Sequence, residues 1–522
     1  MNRENSLVRL QANQGVWDMV VIGGGATGVA IAMDAALRGL RVVLLEQSDF
    51  GKGTSSRSTK LIHGGVRYLQ QGNIRLVRDA LRERSLLRMN APHLVHDLPF
   101  VIPCQSRWQQ LYYRIGLKLY DFLAAGKSFG SSCSLSIHEL MKAVPGIRGD
   151  QLQGGGVMYH DGQFDDARLL ISMLRTGYDA GACLLNYMGV NDLTRNQHQQ
   201  ITGVSACDAE TGENYSIKAR AVINATGPFS DKIRRMDDAN QKNIITPSQG
   251  VHIVLPREFF PGNTAVIVPK TSDGRVVFLI PWYQHVIAGT TDTPIREAEL
   301  EPQPQQKEVQ FLLATISDYL ERAPSPDDVL GYFTGIRPLV SGDKSTRTAS
   351  LSRDHVIRVS KTGLITIAGG KWTTVRKMAE DCVDKVVHLH QFEAKPCRTA
   401  NYKLHGASNH TSHSDARAFY GSDLVHIRKL EEEQPALAKP ISQTFEITPA
   451  QVIWAARHEM ARTVEDVLAR RTRVLFLDAR AALQMAPSIA KLLAEELGRD
   501  ADWCQSQVAA FERVARKFLT TQ

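Results

Sequence analysis

Cysteine is scarce in this chain. The seven present (Cys104, Cys133, Cys183, Cys207, Cys382, Cys397 and Cys504) are scattered, odd in number, and form no Cys-x-x-Cys. A disulfide framework or zinc site is therefore not expected, no metal site is read from the sequence, and a reducing cytoplasm fits. Long apolar runs are missing as well. None reaches 18 residues, so no transmembrane helix is expected. The apolar stretch 16–37 is broken by Asp18, Asp34 and four small turn-formers, which argues against a signal segment. There is no internal repeat and no long low-complexity tract. An acidic excess is lacking too: the net charge is +8, which favours anionic partners such as phosphorylated metabolites, acidic lipid or nucleic acid. The basic residues are dispersed among metabolite-type motifs, without interleaved aromatic stacking positions, so nucleic acid is not expected. An apolar fraction of 43% and a charged fraction of 22% describe a folded protein, and 522 residues call for two or three domains.

Residues 17–46 follow a strand-turn-helix-strand plan. "DMVVI" reads as a buried strand, "GGGATG" as a turn, "VAIAMDAALR" as a helix stopped by Gly39, and "RVVLLE" as the second strand. Gly23-x-Gly25-x-x-Gly28 occupies the turn. The first glycine permits the tight bend, the second a close approach of backbone to a pyrophosphate, and the third close helix–strand packing. The helix N-terminus offers free N–H groups and a positive dipole. Glu46 ends the next strand and is placed for a ribose hydroxyl pair. These features predict a dinucleotide site. Its position near the start of the chain suits FAD, although NAD enzymes can do the same. Two later strands end in glycine, "VINATGP" at Gly227 and "ITIAGGKW" at Gly369-Gly370. Glycine-ended strands so far apart suggest one cofactor held by interleaved segments.

Other elements are coarser. Ile74 to Met89 is helical and arginine-rich, while residues 100–150 are mixed and hard to place. "DGQFDDARLL" opens an αβ unit with Asp165 or Asp166 as N-cap. A hairpin is expected around Thr211-Gly212. Strand-like runs from about 245 to 340 suggest a separate sheet, and the chain after about 395 is polar and then mostly helical. In "GVHIVL", Val251, Ile253 and Leu255 take one face and His252 the other; a buried histidine and a functional one are equally compatible with that pattern. The helix after Gly370 carries Val375, Met378, Cys382, Val386 and Leu389 at helical spacing. Such a stripe suits either a helix covering a sheet or an amphipathic helix on acidic lipid.

With these pieces placed, the chain resembles the FAD-dependent glycerol-3-phosphate dehydrogenases of the aerobic type. The likeness rests on "VIGGGATGVAIAMDAALRGL", "TSSRSTKLIHGGVRYL", "DGQFDDARL", "VINATGP", "GVHIVLP", "IPWY", "AGTTDTP", "GIRPLV", "SRDHVI", "AGGKWTT" and "EMARTVEDVLARRTRVLFLD", in order across residues 17–515. One departure is Ala30, where many relatives carry glycine. The resemblance implies an α/β fold (α+β overall) of the glutathione-reductase/D-amino-acid-oxidase type. The FAD-binding domain would comprise 17–70, 150–235 and 350–392, and an antiparallel substrate domain 71–149 and 236–349. Residues 393–522 would form a C-terminal helical domain.

The resemblance also implies chemistry: oxidation of sn-glycerol 3-phosphate to dihydroxyacetone phosphate, with electrons passed to membrane quinone. An oxygen-using glycerol-3-phosphate oxidase and an FAD-dependent amine or 2-hydroxy-acid oxidoreductase are the rival readings. By resemblance, His252 is the general base and Arg337 holds the C2 oxygen. Arg67, Tyr68, Arg353 and Lys371 bind substrate. Gly23, Gly25, Gly28, Glu46, Thr54, Ser55, Ser58, Lys60, His63, Gly64, Gly65, Gly227, Gly369, Gly370 and Thr373 hold FAD, non-covalently rather than through a histidyl link at His63. The protein is expected in the cytoplasm, attached peripherally to the inner face of the cell membrane, with a homodimer held open.

Overall fold

The computed structural model describes residues 1–13, 15–66, 69, 73–124, 129–150, 152–269, 271, 275–340, 355–408 and 416–521. Among the described residues there are two sheets and a helical C-terminal region. In the first sheet, five parallel strands run in the order Leu364–Gly369, Asn214–Asn224, Trp17–Ile22, Val42–Leu45, Cys183–Leu185. His355–Val359 adds an antiparallel edge. Alternation along each strand feeds two cores. Met19, Val21, Val42, Leu44, Ile365 and Ile367 face helices Ala26–Leu37, Asp166–Asp179 and Val375–His390. Val20, Ile22, Val43, Leu45 and Val222 face the strands Met188–Arg195 and Ile201–Asp208, which continue as a meander into Asn214–Asn224. Burial on both sides explains why these strands read as unbroken apolar runs. Ala30 is fully buried in the helix-side core, so its methyl is accommodated.

The second sheet has ten strands among the described residues, with Ile245–Pro256 bonded to Gly331–Val340 on one edge and to His285–Gly289 on the other. It is antiparallel apart from one pair, Ala265–Val268 against Val95–Pro103. Leu61–Ile62 and Gly156–Phe164, which the sequence reading grouped with the FAD-binding segments, pair into this sheet. Within Gly156–Phe164, Val157, Tyr159 and Asp161 are buried while Met158 and His160 are half-buried, the alternation of an antiparallel strand. One face of the sheet packs Val251, Ile253, Leu255 and Leu279 on helix Gln306–Ser317. The other presents Val254, Ile280, Ile287 and Phe333 to the C-terminal helices, among them Pro449–Glu459, Ala479–Leu497 and Ala501–Arg516.

The arginine-rich segment forms the helix Ile74–Asn90. Its Arg84 is buried and pairs with Asp161 of strand Gly156–Phe164 at 2.7 Å. The helix Val375–His390 buries Val375, Met378, Cys382 and Val386, and Arg376 forks onto Glu83 at 2.7 Å. Those four residues of the expected stripe pack in the helix-side core of the first sheet, while Leu389, the fifth, is 45% exposed.

Candidate active site

The glycine turn, the strap after the second strand and the second sheet enclose one cavity of ≈ 490 Å³. At one end stands the N-terminus of helix Ala26–Leu37, with Gly25 as its N-cap. Gly23 has φ +106°, and a Cβ there would lie 2.8 Å from the Ala225 carbonyl oxygen. A Cβ at Gly28 would lie 1.9 Å from the Gly23 carbonyl oxygen. Only glycine fits at either position. The Glu46 carboxylate accepts the Gly24 N–H at 2.7 Å and the Ser48 N–H at 2.9 Å. Burial raises its pKa and those two bonds oppose the rise. An anchored carboxylate beside a helix N-terminus and two glycine-only positions is a donor set that fits an adenine dinucleotide.

The strap Thr54–Lys60 crosses from this end toward the second sheet. Ser55 Oγ accepts the Ala26 N–H at 2.8 Å, and its carbonyl accepts Trp372 Nε1–H at 2.8 Å. Thr54 donates to the Ile336 carbonyl at 2.6 Å and Ser58 to Asp166 at 2.6 Å. These three line the cavity, but their hydroxyls are also engaged with protein. Lys60 departs from the expectation. It does not line the cavity; its ammonium is fully buried between the Ser56 carbonyl (2.8 Å) and Asp166 (2.7 Å), under Trp282, Phe333 and Phe476. Desolvation lowers its pKa to about 7 against the pull of Asp166.

The far end is built on the second sheet. Residues 250 and 252 project to one face, cross-strand from Gly335 and Phe333, with Gly289 opposite His252. His252 stacks on Phe333 at 4.6 Å and 10°, and its Nε2 lies 2.9 Å from Thr59 Oγ1. A Cβ at Gly289 would meet the imidazole at 2.2 Å, and one at Gly250 would meet Arg337 at 2.4 Å. Two glycines thus make room for two functional side chains. Arg337 donates to Thr290 Oγ1 at 3.1 Å and pairs with Asp292 at 3.4 Å, and Ser248 holds the same carboxylate. Burial first, then the positive charges of Lys60 and Arg337, keep the His252 pKa well below its ordinary 6.5. The imidazole is therefore a neutral proton acceptor beside a fixed cation.

Between the two ends, Gly369 and Gly370 (both φ +81°) turn the chain into Lys371 and the short 3₁₀ turn Trp372–Thr374. Thr373 Oγ1 accepts the His63 N–H at 3.3 Å.

Residues 18–376 match the family described as FAD dependent oxidoreductase, and residues 360–504 the one described as C-terminal domain of alpha-glycerophosphate oxidase. The mitochondrial glycerol-3-phosphate dehydrogenases of Bos taurus and Homo sapiens are each 40% identical over 552 residues, spanning 99% of this chain and 75% of the relative. The crystal structure of the glycerol-3-phosphate dehydrogenase from Bacillus halodurans complexed with FAD superposes with a TM-score of 0.81 at 28% identity, over 99% of this chain and 97% of that one. The chain belongs to the FAD-dependent glycerol-3-phosphate dehydrogenase family. FAD is its cofactor, and the fold is that of the FAD-dependent oxidoreductases.

Of the residues expected at the site of such a dehydrogenase, Gly23, Gly25, Glu46, Thr54, Ser55, Ser58, His63, Gly227, His252, Arg337, Gly369, Gly370, Lys371 and Thr373 line this cavity. Gly28 stands one turn inside the helix in its packing role. Gly64 and Gly65 are buried behind the wall, where the Gly64 N–H donates to Tyr120 Oη at 2.9 Å. Arg67, Tyr68 and Arg353 lie outside the described residues. Sequence reasoning missed Thr59, Thr290 and Asp292. Thr59 was hidden in a run of hydroxyl residues, and Asp292 in "AGTTDTP", whose partner Arg337 is 45 residues away.

Proposed function

We propose that this chain oxidises the C2 hydroxyl of sn-glycerol 3-phosphate, giving dihydroxyacetone phosphate, and that the electrons pass to a membrane quinone. The observation that carries the reading is the continuity of the cavity from the glycine turn to the His252–Arg337 pair. Bound FAD supplies the two-electron acceptor for the hydride leaving C2. The neutral imidazole of His252 takes the hydroxyl proton. The Arg337 guanidinium, fixed by Asp292 and Thr290, holds the C2 oxygen as it loses that proton. Lys371 adds a cation on the cavity wall for the phosphate, where each charge-assisted bond contributes about 1.5–3 kcal/mol. The names of the mammalian relatives support the same substrate.

The test is anaerobic bleaching of the flavin across glycerol 3-phosphate, glycerol, lactate and glycine. Bleaching by glycerol 3-phosphate alone is the expected result; bleaching by lactate or glycine would move the activity to hydroxy acids or amines. The match of residues 360–504 to a domain described from alpha-glycerophosphate oxidase favours a second acceptor, oxygen. Stoichiometric peroxide without quinone would establish it.

Peripheral membrane attachment is part of this proposal, and helix Arg107–Leu123 is the face that supports it. Trp108 (81% exposed), Ile115 (64%) and Phe122 (79%) lie on its outer side with Leu111, Tyr112 and Leu119, and Arg107, Arg114 and Lys118 flank them. A basic helix with bare aromatic and aliphatic side chains suits the interface of an anionic bilayer. No helix among the described residues is long and apolar enough to cross a membrane. Co-sedimentation with phosphatidylglycerol vesicles is expected for the native chain and not for a Trp108→Ser/Phe122→Ser variant. A native chain that stays in the supernatant removes the attachment.

A further inference from the structure

The imidazole of His252 has one usable nitrogen. Nδ1 is buried without a hydrogen-bond partner among the described residues, and the ring is only 2% exposed. Nε2 faces the Thr59 hydroxyl at 2.9 Å. The ring stacks on Phe333 and its Cδ2 edge lies against Gly289, where a Cβ would come within 2.2 Å, so a flipped ring would set Nδ1 against Gly289. A proton reaching His252 therefore enters at Nε2, where Thr59 already stands.

Thr59 is itself held firmly. On one side the Ser58 N–H and hydroxyl both donate to Asp166 Oδ2, at 3.0 and 2.6 Å. On the other side Lys60 adopts φ +64° and reaches the same oxygen at 2.7 Å. Arg473 fixes the second oxygen of that carboxylate at 2.9 Å. Both neighbours of Thr59 are thus tied to one buried anion, and Thr59 is left on the cavity wall opposite His252. A hydroxyl both donates and accepts, so it can take a proton on one side while giving one on the other.

We propose that Thr59 relays the substrate proton to His252. The proposal rests on the reading of His252 as base. In the step, the C2–H bond breaks and its electron pair leaves as hydride to FAD. The C2 hydroxyl proton moves to Thr59 Oγ1, the Thr59 proton moves to Nε2, and the C2 oxygen becomes the ketone. The Thr59 hydroxyl is regenerated and His252 ends as imidazolium.

Two protons then move in the reductive half-reaction, a property readable in the native holoenzyme. Single-turnover flavin reduction by glycerol 3-phosphate, measured in mixtures of light and heavy water, should give a curved dependence on deuterium fraction. A straight line overturns the relay. Thr59→Val should keep FAD and substrate binding, slow flavin reduction by about 10²-fold, and make the isotope dependence linear. Thr59→Ser should restore rate and curvature. Native rate in Thr59→Val also overturns the proposal. If His252→Ala is inactive while Thr59→Val is normal, only the relay fails; if His252→Ala is active, the reading of the base fails with it.

Discussion

At His252, burial removes the water that would solvate an imidazolium, and Lys60 and Arg337 add positive potential. His93 and His458 are held low by burial as well, at about 3 and about 4. Each of these histidines is uncharged in the fold and takes up a proton near 6.5 when unfolded. Stability is then complete above pH 6.5 and is lost as pH falls below it toward the folded values. The same depression keeps the base functional in acid. Flavin reduction should hold its rate at pH 6 while the melting temperature already declines; a rate that halves near 6.5 would refute a low folded pKa. His252→Ala should retain FAD and reduce it at least about 10²-fold more slowly. The sequence places His252 on the opposite face of its strand from Val251 and Ile253, which the structure bears out. It does not reveal Phe333, Gly289 and Thr59 around the ring, because these come from two other strands and the strap.

Elements were legible where a one-sided apolar pattern meets a buried face. The strand-turn-helix of residues 17–46 and the helix Val375–His390 are of that kind. Gly28 shows how narrow the tolerance is. A methyl there would fall 1.9 Å from the Gly23 carbonyl oxygen, which belongs to backbone pinned by the Leu45 carbonyl. Gly28→Ala should therefore lose FAD and destabilise the fold by about 1–3 kcal/mol or more, as overpacking does. Flavin content and a urea midpoint measure both effects. The helix Arg107–Leu123 was not legible for the opposite reason. Trp108, Leu111, Tyr112, Ile115, Leu119 and Phe122 recur at helical spacing, as a buried face would, yet the structure turns them outward. Only Leu117 and Tyr120 on this helix are buried. Spacing identifies an apolar face but not what it will meet.

Across the whole molecule, the C-terminal region is fastened to the FAD-binding sheet by buried charges. Asp49 sits between Arg470 and Arg471, Arg168 forks onto Glu459 at 2.8 and 2.9 Å, and Arg473 holds Asp166. Asp49→Ala would leave two guanidiniums buried without their shared anion. A loss of about 3–5 kcal/mol is expected, seen as a lower urea midpoint; an unchanged midpoint would contradict the arrangement. Local pattern could not find these pairs. Asp49 and Asp166 lie more than 300 residues before the arginines of "LARRTR" that they pair with.

The order of strands in the first sheet also bears on how the chain is made. Trp17–Ile22 lies between Val42–Leu45 and Asn214–Asn224, and Leu364–Gly369 pairs beyond that. At a ribosomal pace of roughly 5–20 residues per second, the second neighbour of the first strand emerges ~10–40 s after it. For that interval the first strand of the nascent polypeptide carries an unpaired edge, a template open to any other extended segment nearby. Early synthesis is thus a stage at which the first strand has only one of its two native partners.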